Sequence, residues 1–401
     1  MKSERRRVAV ITGTRSEYGL LTSVMEAIAA QRRLQLQLVV TGMHLCRRFG
    51  MTIQQIKQDG WRIDARVSMQ RGDDDPLDQA QGLSRGIAGI SRYLAAAKTD
   101  IVVVLGDRIE ALAGALAAVT TGRILAHIHG GDVAAGDFDD RVRHAITKLA
   151  HVHLAASDAA AQRIMRMGEQ PQRVFMVGAP GLDRLRELVA MNGRVPKTGR
   201  RALIVQHPIG RSAATEGAVM SRILRAAGSE RLGGTIILPN SDRGHSGIRQ
   251  AIADGRQTSK NGRDVGSSWE VVPSLPRDEY LTRLIAADVL IGNSSSGIIE
   301  AGVAGTAVVN IGDRQYGRDH DAGHVVQSSE AATAIRTAIR RALTLPATAA
   351  KDSIYGTKPA GPKIARILID TPLTEVFRRK VLEFTASNER PASNGRGKPG
   401  R

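Results

Sequence analysis

Short apolar runs, each closed by glycine or a polar cluster and followed by an amphipathic stretch, recur along this chain. The first, at 8–12 (VAVIT), precedes Gly13-Thr14-Arg15-Ser16-Glu17-Tyr18-Gly19 and a helical pattern over 20–30. Further runs lie at 36–41, 61–67, 101–105, 124–128, from 151 (HVHL) and at 174–177. Near-continuous apolar character predicts strands covered on both faces. The periodic stretches 49–59, 83–98, 110–120, 141–150 and 158–168 predict helices between them. A polar segment, 192–200 (NGRVPKTGR), interrupts the pattern, which then restarts. Strands are predicted at 201–205, 234–238, 269–272, 289–291 and 307–311, and helices at 216–227, from 246 to 253, up to 286, at 298–303 and at 330–342. Pieces at 364–369 and 373–384 also read as helical.

This alternation predicts an α/β protein with two doubly wound units. The expected layout is an N-terminal doubly wound domain over 1–191 carrying acid and base residues and a C-terminal doubly wound nucleotide-binding domain over 192–372. A C-terminal helix over 373–389 and a basic, disordered tail over 390–401 complete it.

Ligands of open parallel sheets bind beyond the carboxyl ends of the strands. The run 101–105 ends in Gly106-Asp107-Arg108, the run 124–128 in His129-Gly130-Gly131-Asp132, and Asp139-Asp140 follow. Asp107, His129, Asp132, Asp139 and Asp140 are therefore acid/base candidates, because neighbouring groups in different environments can divide proton tasks. Asp107 reads first as a base, then as an acceptor for sugar hydroxyls or as the partner of Arg108, and His129 also reads as an orienting residue. Gly13 lets the backbone approach a ligand closely, and Arg15 offers an anion a forked contact. In the second half, Gly292-Asn293-Ser294-Ser295-Ser296-Gly297 suits phosphate, with Ser294 and Ser295 as donors. Glu300, one turn on, suits ribose hydroxyls, and Arg314 suits the phosphate. The motifs match neither GxGxxG nor a P-loop.

Composition narrows the partners. Among 401 residues, 57 basic against 39 acidic side chains give a net charge of +18, which attracts anions. Aromatic content of 3% and the absence of a recognition motif argue against nucleic acid. The single cysteine, Cys46, excludes an intrachain disulfide and a Cys-rich zinc site. His127, His129, His144, His151 and His153 lack HExxH spacing, so no metal is expected. No apolar stretch is long enough for a membrane helix and no secretory signal is apparent, so a cytoplasmic protein is expected.

Taken in order, these motifs resemble the UDP-N-acetylglucosamine 2-epimerase family, specifically its hydrolysing branch of sialic-acid and nonulosonate biosynthesis. The resemblance spans about residues 8–369 and adds Arg143-His144-Ala145-Ile146-Thr147-Lys148, Gln206-His207-Pro208, Pro239-Asn240 and Arg314-Gln315 to the motifs above. It implies that both domains are Rossmann-like, in a GT-B arrangement with the active site in an interdomain cleft. The implied reaction converts UDP-N-acetylglucosamine, or a related UDP- or GDP-linked 2-acetamido sugar, and water to nucleoside diphosphate and the free C2-epimerised sugar. The path is elimination to a 2-acetamidoglucal followed by hydration, and it implies no cofactor.

By the same resemblance, Asp107, Asp132 and the Asp139/Asp140 pair are acid/base groups and His207 lies near nucleotide and sugar. Arg15, Ser294 and Ser295 contact phosphate, Arg108 and Arg314 are further anion contacts, Asn240 supports the base or the cleft loop, and Glu300 binds ribose. Two departures stand out: some relatives carry Glu at the position of His129, and Asp132 replaces a longer Glu. A homo-oligomer is implied. A non-hydrolysing epimerase, a GT-B glycosyltransferase and a non-catalytic nucleotide-sugar binding module are the alternatives.

Overall fold

The computed structural model describes residues 5–382 apart from 72, 74, 135–138, 193–198, 261–268, 322 and 347–351. The apolar runs become strands because each is buried from both sides. The first sheet comprises β1 (Arg6–Thr12), β2 (Leu34–Thr41), β3 (Ala65–Val67), β4 (Ile101–Leu105), β5 (Ile124–Ile128), β6 (Val152–Ala155) and β7 (Val174–Met176). The second comprises β8 (Arg201–Val205), β9 (Gly233–Ile237), β10 (Trp269–Val272), β11 (Val289–Gly292), β12 (Ala307–Ile311) and β13 (Val325–Ser328). The strand orders are β3-β2-β1-β4-β5-β6-β7 and β10-β9-β8-β11-β12-β13, and every pairing is parallel.

Both orders reverse direction once, between β1 and β4 and between β8 and β11. At such a switch the connections leave to opposite sides, which opens a crevice beyond the strand ends. The sequences beyond these four strands include Gly13–Ser16, Gly106–Arg108, Gln206–Pro208 and Asn293–Ser296.

Each sheet is covered on both faces. Val8, Val10, Val103 and Leu38 pack with the helix Arg15–Ala29, while Ala9, Ile11, Val102 and Val104 pack on the small residues of Ile109–Thr120. In the second unit, Ile204 and Ile291 pack toward Ala213–Ser229 and Ala332–Leu343, and Leu203 and Leu290 toward Arg277–Ala286.

Two helices cross between the units. Leu182, Leu185 and Leu188 of Gly181–Asn192 enter the core beside Leu203, Leu281 and Leu284. Ile364 and Leu368 of Ala360–Asp370, a segment that sequence assigned to the second unit, enter the core beside Val8 and Leu21. Asp183 joins the crossings: its two carboxylate oxygens accept from the backbone N–H groups of Ala360, at 2.8 Å, and Gly361, at 2.9 Å. A carboxylate there satisfies orphan donors at a helix N-terminus.

Some local expectations differ from the structure. Only 65–67 of the run 61–67 pairs as a strand, and 49–59 divides into the 3₁₀ turn Arg47–Phe49 and the helix Ile53–Gln58. In place of a helix over 373–384, the described part holds one turn, Glu375–Arg378. Strand β13 and the helix Gly181–Asn192 were not anticipated. The tail 390–401, most of the 192–200 boundary and residues 383–389 lie outside the described residues. No helix among the described residues is long and apolar enough to cross a membrane.

Candidate active site

One cavity of about 190 Å³ takes its walls from both units: Thr14, Arg15 and His129 from the first, and His207, Asn240, Ser294–Ser296 and Glu300 from the second. It therefore sits where the two switch points meet. The interdomain cleft is present as expected.

The turn after β1 is held by its own sequence. Thr14 is the N-cap of the following helix, its hydroxyl accepts from Glu17 N at 3.4 Å, and Glu17 Oε2 accepts from Gly13 N at 2.9 Å. This is a variant of the capping box in which the glutamate reaches the N–H before the N-cap. A Cβ on Gly13 would lie 2.3 Å from Cγ of Glu110, so the small residue makes room for that side chain. Arg15 spans the units, donating to Ser274 Oγ at 2.8 Å and to Gln55 Oε1 at 3.4 Å.

Beyond β4, Asp107 pairs with Arg143 rather than with Arg108, which corrects one of its three sequence readings. Arg108 turns to Glu110, at 3.3 Å, and across the cleft to Asp242, at 3.1 Å. The turn is fixed from below: Gly106 adopts φ +78°, its N–H donates to Ile128 O at 2.9 Å, and its carbonyl takes His127 Nε2 at 2.7 Å. Burial pushes His127 down to about 3, so its ring is neutral and donates from Nε2.

Beyond β5, His129 stands at φ +62°, an uncommon conformation for a side-chain-bearing residue. Its Nδ1 lies 2.9 Å from Asp132 Oδ2, and Arg318 Nη1 stands 3.9 Å from the same oxygen. Burial opposes the Asp132 charge, but His129, Arg318 and Arg163 outweigh it and hold the carboxyl below its ordinary range.

The helix Asp139–Leu149 separates its two leading acids. Asp139 lies 3.6 Å from Arg314 of the second unit. Asp140 turns to its own unit, accepting from Ala134 N at 2.8 Å and lying 3.4 Å from His144.

Facing them, His207 extends β8. Asn293 locks its backbone in both directions, with His207 N donating to Asn293 Oδ1 and Asn293 Nδ2 donating to His207 O, each at 2.8 Å. Its Nδ1 accepts from Asn240 N at 3.3 Å. Burial, reinforced by Arg314, pushes His207 down to about 3. Asn240 also donates to Asp242. Arg314 Nη1 and Gln315 Nε2 donate to Asn293 O at 3.2 and 2.9 Å.

Beyond β11, Ser294 caps Ser295–Ile299 by accepting from Ser296 N at 3.3 Å. Glu300, 2% exposed, is held by Arg277 and by the Ser296 hydroxyl.

The cavity thus gathers Arg15, His129, His207, Asn240, Ser294, Ser295 and Glu300 directly, with Asp132 one contact behind His129. Asp107, Asp139, Arg108 and Arg314 are not among its lining residues: Asp107 is paired with Arg143, Asp139 with Arg314 and Arg108 with Asp242, while Gly13 serves the turn and Asp140 anchors a loop. Sequence reasoning gave Arg143 only as part of a motif, without a role, and missed Asp242, Arg277 and Arg318. Arg143 stands four residues after Asp139, on one helix face with it, which was a usable signal. The other three act through contacts remote in sequence and leave no local signal. Among the described residues no group of three His, Cys, Asp or Glu is placed to hold a metal ion.

Comparisons with known proteins bear on the family and the fold. The sequence model of the family described as UDP-N-acetylglucosamine 2-epimerase matches residues 26–369. A UDP-N,N'-diacetylbacillosamine 2-epimerase (hydrolyzing) of Legionella pneumophila is 32% identical over 375 residues, 92% of this chain and 97% of that protein. A UDP-N-acetylglucosamine 2-epimerase of Neisseria meningitidis is 30% identical over 386 residues, 94% and 98% of the two chains. The crystal structure of a UDP-GlcNAc 2-epimerase from Neisseria meningitidis bound to UDP-GlcNAc shares the fold at a TM-score of 0.73, covering 91% of this chain and 100% of that one at 15% identity. Two Rossmann-like units in the GT-B arrangement are the architecture of the chain.

Proposed function

This chain belongs to the UDP-N-acetylglucosamine 2-epimerase family, and we propose that it is a hydrolysing member. It takes a nucleoside-diphosphate-linked 2-acetamido sugar and water and releases nucleoside diphosphate and the free C2 epimer. The observation that carries this reading is the cavity walled by ionisable groups of one unit and by the serine turn, His207 and Glu300 of the other. The hydrolysing name of the Legionella relative, matched over nearly its whole length, supports the same branch.

In this mechanism the second unit anchors the nucleotide. Ser294 and Ser295 donate to the diphosphate with Arg15 and Arg314, and Glu300 accepts from ribose hydroxyls. Arg108 reinforces the positive field. Asp107 takes the C2 proton as the C1–O bond breaks and its electron pair leaves with the diphosphate, giving the 2-acetamidoglucal. Fixed cations stabilise the charge that grows on the leaving group. Water then adds to C1, and a proton returns to C2 on the opposite face. The ionised Asp132, steered by His129, and Asp139, beside Arg314, are the groups for these later proton transfers. Asp140 keeps a supporting role, because its carboxylate already holds the Ala134 amide. Neutral His207 donates from Nε2 toward the sugar-phosphate linkage. Protons, the departing diphosphate and the added water account for every step, so the path requires no hydride carrier.

The pathway expected for such a product is the assembly of sialic-acid-type or other nonulosonate sugars. A homo-oligomer and a cytoplasmic location belong to the same reading. The test is a panel of UDP- and GDP-linked 2-acetamido sugars, with and without a 4-acetamido group, in deuterated water and followed by NMR. Free sugar deuterated and inverted at C2, with nucleoside diphosphate, is the expected result. Nucleotide-linked epimer, acceptor-dependent transfer or binding without turnover would each replace this reading with one of its rivals.

A further inference from the structure

Arg143 is the most unusual charged group near the cleft. It is 2% exposed, on the inner face of the helix Asp139–Leu149, and its Nη2 pairs with Asp107. Its Nε and Nη1 are buried and have no hydrogen-bond partner among the described residues. Burial and the positive charges of Arg318 and Arg314 work against its guanidinium. Burying a guanidinium among other cations with two donors unused is costly for stability. Lysine would present a different, non-planar donor set, and an apolar residue would pack without the penalty. Among the described residues, the ion pair that answers this cost is with the carboxylate at the end of β4.

The backbone of that turn is already fixed, as described, by Gly106 and His127. What the turn leaves undetermined is the direction of the Asp107 side chain, which is partly exposed, at 21%. A charged donor in a rigid helix supplies that direction, and an adjacent guanidinium favours the ionised form of a carboxylate.

We propose that Arg143 is the positioning residue of Asp107, aiming its carboxylate at the sugar C2 proton and acting on the chemical step rather than on nucleotide binding. This rests on the 2-epimerase reading above. Arg143 itself does not line the cavity. A misplacement of about 1 Å in a reacting group reduces rate by about 10²-fold, which sets the expected effect.

The experiment measures sugar release, C2 deuterium incorporation and UDP affinity for the wild type, R143K, R143M, D107N and D107N/R143M, with the slowest variants read by prolonged deuterium incorporation. R143M is expected to lower kcat by about 10²-fold and R143K by about 10-fold, with KM and the UDP Kd within about 3-fold of wild type. Because Arg143 acts through Asp107, adding R143M to D107N is expected to cost less than about 2-fold more. Should R143M prove misfolded by its melting curve, R143K carries the same kcat-against-KM test, and a folded variant that loses UDP affinity would overturn the proposal. Unchanged kcat in R143K and R143M, a raised KM at constant kcat, or multiplicative losses in the double variant would overturn the proposal. A wild type that binds nucleotide sugars and releases no epimer would remove the 2-epimerase reading and this inference with it. A wild type that turns over beside unimpaired Arg143 variants would remove the inference alone.

Discussion

The backbone N–H of Asn240 donates to Nδ1 of His207 across 3.3 Å, so the proton of the neutral ring sits on Nε2. The two residues follow different strands, β8 and β9, and the contact ties one strand end to the protonation state of the other. Burial and Arg314 push the imidazole down to about 3. His207 is therefore expected to stay neutral through the working pH range, showing an Nε2–H tautomer and no titration near pH 6.5 by ¹⁵N NMR. A depressed folded value also means that its contribution to stability is present above about 6.5 and is lost as pH falls toward 3. His207→Asn, which removes the Nε2 donor, is expected to reduce kcat by about 10²-fold while UDP still binds. A ring that titrates near 6.5 would refute the assignment.

Asp132 and His129 share the loop after β5, and the carboxylate outlasts its burial because His129, Arg318 and Arg163 surround it. Asp132→Asn keeps the size and removes the charge. It is expected to lower turnover by 10²–10³-fold, roughly the contribution of one acid/base group, with little change in UDP affinity by calorimetry. An equal loss in UDP affinity would make Asp132 a nucleotide-binding residue.

Much of this was legible in the sequence because doubly buried strands leave continuous apolar runs, and β1, β4, β5, β8 and β11 each announce themselves that way. The charged or serine-rich turns after them marked the site, since parallel sheets place function at those ends. Strand β13 was missed because its four residues, Val325–Ser328, are too few and too polar to stand out. The helix Gly181–Asn192 does carry the helical spacing of Leu182, Leu185 and Leu188, but its core lies in the other unit, which periodicity does not reveal. Arg277 and Arg318 gain their meaning only from partners brought from elsewhere, Glu300 and Asp132.

Gly13, singled out from sequence for close approach to a ligand, has a packing cause in the structure. Its missing Cβ admits Glu110, whose Cγ would stand at 2.3 Å from it, and Gly42 is crowded by the same side chain at 2.6 Å. Gly13→Ala is expected to destabilise the fold by about 1–3 kcal/mol, as overpacking does. Thermal unfolding would reveal this, and an unchanged melting temperature would show that Glu110 moves aside without cost.

Glu300 is buried between Arg277 and the Ser296 hydroxyl, so it is aimed before any nucleotide arrives. Glu300→Gln keeps one acceptor and breaks the ion pair. If the carboxylate receives ribose hydroxyls, the variant raises KM about 10-fold with kcat nearly constant. The same substitution costs much less against a 2′-deoxyribose nucleotide. Equal losses for both nucleotides would assign Glu300 to the turn's architecture alone.

Glu17 gives the pH dependence a definite sign. Its carboxyl is buried, Oε2 accepts from Gly13 N at 2.9 Å, and Oε1 has no partner among the described residues. Burial pushes it up to about 8, with Glu110 adding to the rise and the Gly13 N–H and Arg108 opposing it. Below about 4.5 both folded and unfolded chains carry the proton. Between about 4.5 and 8 only the folded chain does, so stability falls as pH rises, by up to about 1.4 kcal/mol per pH unit. Glu17→Gln retains an acceptor for Gly13 N and adds no charge. The variant and the wild type are therefore expected to melt at similar temperatures near pH 5, with the variant increasingly the more stable toward pH 8. Parallel melting curves across that window would mean that Glu17 ionises at its ordinary pH, and that the turn beneath Arg15 tolerates a buried carboxylate.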